Sequence, residues 1–249
     1  MPIPDRFWLR LALAAAGGTV IGALVVRLLG IDLGRIGSYL GILIIGATLV
    51  ALMSGIASRI GWKRAAAAAV LVMVVGGGAE IASLYGGLPF GRYEFTDWWL
   101  PYVMLPGGKL YPLLLPPSWF IFVTVCYLVL ARRLLGWRLV VGSAALTTLV
   151  DLVLEPVLTR VVLFWRWLEP TPLLGAPYRN VLGWLVTAGL AACCLQSLRI
   201  WQARDLPHPV WLLSLGVCCT ALIGLAHDEP RAALALTLLP VVVWARRRS

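Results

Sequence analysis

Eight apolar runs, separated by short connections that carry arginine, restrict this chain to one kind of architecture. They cover residues 7–29, 36–57, 65–85, 113–135, 139–158, 180–198, 210–226 and 232–245. The hydrocarbon core of a bilayer is about 30 Å thick, and a helix needs about 20 apolar residues to cross it. Backbone amides in lipid must be satisfied within the segment itself, which selects helices. The expectation is an all-α fold, a polytopic membrane helical bundle of about eight transmembrane helices, forming a single integral membrane domain over residues 1–249. Composition agrees: 61% of residues are hydrophobic and only 13% charged, where soluble domains average about 25% charged. The first run could pass for a signal peptide, with Ala14-Ala15-Ala16 as a weak cleavage site. It continues well past that point, to a length that suits a span.

A net charge of +10 would suggest nucleic acid in a soluble protein. Here the basic residues sit between apolar runs, so they read as topology signal and as contacts to anionic headgroups. Membrane lipids are the expected partners and nucleic acid is not. Eight spans put both termini on one side. That side carries thirteen of the 21 basic residues: Arg6 and Arg10; Arg59, Lys63 and Arg64; Arg132, Arg133 and Arg138; Arg199 and Arg204; and Arg246, Arg247 and Arg248. The positive-inside rule makes it cytoplasmic. The expectation is a multi-pass protein of the cytoplasmic (inner) membrane with both termini cytoplasmic. Trp8, Trp62, Trp137, Trp201 and Trp244 fall at predicted span ends, as an aromatic belt requires. The five cysteines, Cys126, Cys193-Cys194 and Cys218-Cys219, lie inside apolar runs without metal-ligand spacing, and His208 and His227 form no HxxxH or HxxE cluster, so no metal site is expected.

The fifth run contains Asp151 and Glu155, four residues apart. That spacing sets both side chains on one helical face, one turn apart. An ionised Asp at a bilayer centre costs about 2.5–3.5 kcal/mol, so two on one face need a reason. Either arginines from neighbouring helices pair with them and they fix packing, or they face a cavity and do proton chemistry. Glu80 lies near the far end of the third run, and Asn180 and Trp184 begin the sixth. Alternating span directions bring all of these to the outer half of the membrane, beneath the connections 86–112 and 159–179.

Both connections are unusual. The first packs Phe90, Tyr93, Phe95, Trp98 and Trp99 around a turn punctuated by Pro89 and Gly91; the second holds Phe164-Trp165-Arg166-Trp167 and then Tyr178. Trp98, Trp99 and Arg166 read as interfacial anchors. Tyr93, Trp165 and Tyr178 have a second reading, as rings lining a cavity that stabilise a carbocation much as they would a bound cation. Gly76-Gly77-Gly78 sits mid-span with no strand before it. It is no phosphate loop, and instead admits close approach of another helix or of a flat ligand. The pair Pro116-Pro117 predicts a kink at the start of the fourth span.

In order along the chain, Glu80, Gly87-Leu88-Pro89-Phe90-Gly91-Arg92-Tyr93, Pro116-Pro117-Ser118-Trp119, Asp151 with Glu155-Pro156, Trp165-Arg166-Trp167, Gly175-Ala176-Pro177-Tyr178-Arg179-Asn180 and Gly183-Trp184 resemble the membrane carotenoid-biosynthesis family. Its characterised members are carotenoid 1,2-hydratases of the bisanhydrobacterioruberin hydratase and gamma-carotene 1'-hydroxylase type. The resemblance covers about residues 76–190. Two positions depart from it: the family tends to have Asp-Pro where this chain has Glu155-Pro156, and Asn-Phe where it has Asn180-Val181.

The resemblance implies a lipid-soluble carotenoid substrate, no cofactor, and association with other carotenoid-pathway enzymes. The reaction would add water to the terminal C1=C2 double bond of an acyclic carotene end. A proton goes to C2, leaving a tertiary cation at C1 that water captures. An acid doing this at neutral pH must hold its proton there, and burial together with a second carboxylate one turn away favours that state. Asp151, Glu155 and Glu80 are the expected catalytic groups, and Phe90, Tyr93, Trp119, Trp165, Tyr178, Asn180 and Trp184 the expected substrate-binding ones. Two rivals stand beside this reading. A proton-initiated cyclase would use the same cation and shut water out. A proton-coupled carrier would be favoured by an inverted repeat, and no convincing internal symmetry is visible between the halves.

Overall fold

Small residues decide how closely the helices of this protein approach one another. The structure, a computed structural model, describes residues 34–246 together with scattered positions between 7 and 28. Most of the first apolar run, and Arg247 and Arg248, lie outside the described residues. Helix α1 (Gly34–Ile60) turns at Gly61, whose φ of 85° suits glycine, directly into α2 (Trp62–Gly86). Then come α3 (Leu115–Leu130), α4 (Gly136–Arg160), α5 (Tyr178–Ser197), α6 (His208–Ala226), a 3-10 segment (Pro230–Leu238) and α7 (Leu239–Arg246).

Among the described residues, five helices are long and apolar enough to cross a membrane: Gly41–Ile60, Trp62–Gly86, Gly136–Arg160, Tyr178–Ser197 and Pro209–Ala226. Two shorter apolar stretches, Leu115–Leu130 and Pro230–Ala245, accompany them. The protein is thus a multi-pass all-α membrane bundle. Its last apolar run is 3-10 and then α rather than one continuous helix. Pro240 supplies no N–H to the preceding turn and its ring crowds the carbonyl four residues back, which interrupts an α-helix at that point. Pro116 and Pro117 do not kink a span that starts at residue 113. They open α3, in the first turn, where a missing N–H leaves no bond unmade.

Helix α3 is the central one. Trp119, Phe120, Tyr127 and Leu128 are fully buried, and apolar side chains surround it on every face, as a helix enclosed by others requires. On α2 the buried positions Ala65, Ala68, Val72, Gly76 and Glu80 recur every three or four residues, so one stripe of small side chains faces the bundle and carries Glu80 with it. Gly76 and Gly77 lie against α3: a Cβ on Gly76 would collide with the Trp119 ring, and one on Gly77 would come 2.8 Å from the Tyr111 hydroxyl and 3.1 Å from Pro116 Cγ. Of the two uses expected for the glycine triplet, close helix approach is the one realised here.

The two long connections are not plain loops. Strand β1 (Tyr93–Phe95) pairs antiparallel with β4 (Trp165–Trp167), in the register Tyr93↔Trp167, Glu94↔Arg166, Phe95↔Trp165. Between them in sequence, β2 (Tyr102–Leu105) and β3 (Lys109–Pro112) form a hairpin turned by Pro106-Gly107-Gly108. At the opposite end of the bundle the basic turns meet. Arg59 pairs with Asp205 at 3.1 Å, Arg64 donates to Leu198 O at 2.7 Å, and Arg132 donates to Leu206 O at 2.9 Å.

Candidate active site

Every fourth residue along one face of α4 is polar: Ser143, Thr147, Asp151 and Glu155, all buried. The two hydroxyls satisfy themselves on the carbonyl one turn back, Ser143 on Leu139 O at 2.6 Å and Thr147 on Ser143 O at 2.8 Å. An ionised acid cannot do so, because a carboxylate has only acceptors to offer. The partners of Asp151 and Glu155 come from elsewhere in the chain. Asn180 Nδ2, on α5, donates to Asp151 Oδ2 at 3.0 Å. Trp165 Nε1 donates to Glu155 Oε1 at 3.1 Å, and Trp167 Nε1 donates to the same oxygen. Glu155 Oε2 is buried and accepts no hydrogen bond from the described residues.

Glu80 is held from two sides. Trp119 Nε1 of α3 donates to its Oε1 at 3.0 Å, and the Tyr93 hydroxyl of β1 donates to its Oε2. Burial, and then the nearby Glu80 carboxyl, push the Tyr93 hydroxyl well above the usual phenol range, which keeps it a donor. Among the described residues, no Lys or Arg makes a salt bridge with Glu80, Asp151 or Glu155; the ion pairs lie at Arg59–Asp205, Arg166–Glu94 and around Glu229. Among the described residues, then, no arginine neutralises the three buried acids.

The three carboxyls line one cavity of about 50 Å³, with Asn180 beside them. Rings make up much of its wall. Trp119 and Trp184 stack with centroids 3.9 Å apart and planes 15° apart, and Phe90 sits 5.7 Å from Trp119 and 6.1 Å from Trp184. Phe90 reaches that position because Gly183 lets the backbone of Pro89 lie against α5: a Cβ there would come 2.6 Å from Phe90 Cδ1 and 2.8 Å from Pro89 O. The ribbon of β1 and β4 covers the rest. Its inward residues, Tyr93, Phe95, Trp165 and Trp167, line the cavity, while Glu94 and Arg166 pair with each other on the outer face.

Nine of the ten residues singled out in the sequence line this cavity: Glu80, Phe90, Tyr93, Trp119, Asp151, Glu155, Trp165, Asn180 and Trp184. Tyr178 does not; it is 65% exposed. Residues two apart on a helix stand about 200° apart around its axis, so α5 cannot turn both Tyr178 and Asn180 inward. Trp99 is another correction: it is buried, stacks on Phe164 at 4.8 Å and lines the cavity, rather than anchoring an interface. Trp167 and Phe95 went unselected, although Trp165-Arg166-Trp167 and Tyr93-Glu94-Phe95 each carry the two-residue alternation of a strand with one face in. Among the described residues no three His, Cys, Asp or Glu side chains are grouped to hold a metal ion.

A family model described as carotenoid biosynthesis protein matches residues 37–243. The chain belongs to the carotenoid biosynthesis protein family. The match reaches well beyond the stretch 76–190 on which the sequence resemblance rests, and it takes in every cavity residue. Comparison with curated proteins and with solved structures returns no match.

Proposed function

We propose that this protein is a cofactor-independent carotenoid 1,2-hydratase, adding water across the terminal C1=C2 double bond of an acyclic carotene end. The observation that carries the reading is the set of three buried carboxyls, none with a cation partner among the described residues, around one aromatic-walled cavity. Ionised carboxylates in that setting would be unstable without cations. A pair one turn apart that shares a proton is suited to giving it to an apolar substrate and taking one back.

The steps balance without an outside redox partner. The protonated member of the Asp151/Glu155 pair delivers its proton to C2, and the π electrons form the new C–H bond, leaving a tertiary cation at C1. The faces of Trp119, Trp184 and Phe90 stabilise that cation through their ring quadrupoles. Water adds its oxygen to C1, and its surplus proton passes to the carboxylate left behind or to Glu80. Asn180 holds Asp151 in place, and the two indoles of β4 hold Glu155, so each carboxyl has a fixed direction while Glu155 Oε2 stays available for a proton.

One feature favours the rival cyclase: the stacked Trp119/Trp184 wall would keep water from a cation, leaving an internal double bond to capture it. Expression in a lycopene-producing host separates the two. A hydratase raises pigment mass by one or two waters, and a cyclase yields rings of unchanged mass. Unaltered pigment would count against both. As to orientation, the meeting of the basic turns at the end away from the cavity supports that end being cytoplasmic in the cytoplasmic membrane, with the cavity in the outer half.

A further inference from the structure

A second cavity, of about 340 Å³, lies between α1, α3, α4 and α6. Its walls are almost wholly apolar, with Ile45, Val125, Val153 and Leu213 typical of the four helices. It is not separate from the carboxyl-lined cavity. Trp99, Ser118, Phe122, Leu154 and Leu158 line both, so the two share a wall of five residues. Leu154 and Leu158 belong to the helix that carries Asp151 and Glu155, and Ser118 precedes Trp119, which binds Glu80. The lining of the apolar cavity also includes Gly41, Ile44 and Ile45, which are half-buried positions of α1, and Gly216, an exposed position of α6.

The described helices leave an open recess of this size between them, where interiors are otherwise close-packed, with voids that are few and seldom larger than a water molecule. A polar ligand has little to bond here, since Ser118 already donates to Leu114 O at 2.8 Å and Thr220 to Gly216 O at 2.8 Å. A ligand suited to this recess is therefore apolar, and one that also reaches the carboxyls passes the shared wall.

We propose that the apolar cavity between α1, α3, α4 and α6 seats the isoprenoid chain of the substrate, entering past Gly41 and Gly216, with the terminal double bond carried past Leu154 and Phe122 to the carboxyls. This rests on the hydratase reading for what happens at the carboxyls, but the seat itself is a binding site that can be tested without turnover. It makes the protein selective for end groups borne on a long linear chain. It also admits one end at a time, because one chain fills the apolar cavity beside the acids.

Two substitutions narrow the cavity, G216L at an exposed lining position and V153F at a buried one. A Cβ on Gly216 meets no atom within 4 Å, so the first introduces no backbone clash. Each variant is purified in detergent from a host making an acyclic C40 polyene, and bound pigment per monodisperse protein is read from visible absorbance. Each is also assayed on that polyene and on a C10 olefin with the same terminal group. The expected result is loss of bound pigment, and a loss of roughly tenfold or more in kcat/KM for the polyene with the C10 olefin spared, the scale on which an apolar pocket responds to misfit. Pigment retained at the wild-type ratio in both variants would overturn the proposal, as would equal losses on long and short substrates. If the wild type hydrates neither substrate, the hydratase reading fails, and the pigment ratio alone still decides for or against the seat.

Discussion

Asn180 donates to Asp151 at 3.0 Å across the α4–α5 contact, and both side chains are buried. The bond orients one carboxyl oxygen and links two helices, so its two roles must be separated by experiment. Asp151→Asn keeps the size of the side chain and can still accept through its amide oxygen, but it carries no acid proton. Hydration should fall by about 10²–10⁴-fold, the usual contribution of a general acid–base group, while the protein still inserts and purifies. Hydroxylated carotenoid per unit of monodisperse protein is the measurement. Retention of more than about a tenth of wild-type specific activity would remove Asp151 as the acid. A packing role alone would instead lower yield and preserve activity per folded molecule.

Glu155 differs in that two indole N–H groups converge on a single oxygen. Glu155→Asp restores the residue usual in the family and keeps an acid, though a methylene shorter, so substantial activity should remain. Glu155→Gln should be far less active, because its amide oxygen can still accept both indole N–H groups but it carries no acid proton. Trp167→Phe keeps the ring while removing one hydrogen bond, worth about 1 kcal/mol net. It should reduce kcat more than it reduces thermal stability. Equal activity in Glu155→Gln and wild type would show that the carboxyl serves only to hold the β1–β4 ribbon.

Neighbouring glycines should behave oppositely. Gly76→Ala drives its Cβ into the Trp119 ring, whereas a Cβ on Gly78 meets nothing within 4 Å. Overpacking costs typically about 1–3 kcal/mol, and Ala gains roughly 1 kcal/mol over Gly in a helix. Thermal unfolding in detergent should therefore show Gly76→Ala clearly destabilised and Gly78→Ala neutral or slightly stabilised. The first should also lose activity, because Trp119 holds Glu80. Two equally stable variants would mean that α2 and α3 do not meet as closely as described.

Much of this site could be read from the chain, and the parts that could not have identifiable causes. Apolar run length located the helices because lipid leaves the backbone no alternative. The i, i+4 spacing of Asp151 and Glu155 placed both on one face because helical geometry is local. The ribbon was invisible in that sense: β1 and β4 are three residues each and lie 70 positions apart, so neither length nor neighbourhood announces their pairing. Trp167 and Phe95 were missed for that reason. Tyr178 was misassigned because a motif joins residues by sequence, whereas α5 separates Tyr178 from Asn180 by rotation. The second cavity left no pattern at all, being made of ordinary apolar side chains from four helices.

Orientation gives the last prediction. The turns containing Arg59, Arg64 and Arg132 are bound to the stretch from Leu198 to Leu206 at one end of the bundle, while the β2–β3 hairpin follows α2 at the other. If the basic end is cytoplasmic, Met104 in that hairpin, 65% exposed, faces outward, and Trp62, 61% exposed, faces the cytoplasm. In a background with all five native cysteines replaced by alanine, Met104→Cys should react with a membrane-impermeant maleimide in spheroplasts, which lack an outer membrane. Trp62→Cys should react only after the membrane is opened. Because α2 runs between the two positions, a protein that crosses the membrane must give them opposite answers. The reverse pattern would put the carboxyls in the cytoplasmic half and overturn the positive-inside assignment, leaving the chemistry at Asp151 and Glu155 untouched. Equal labelling of both would contradict a membrane-spanning α2 altogether.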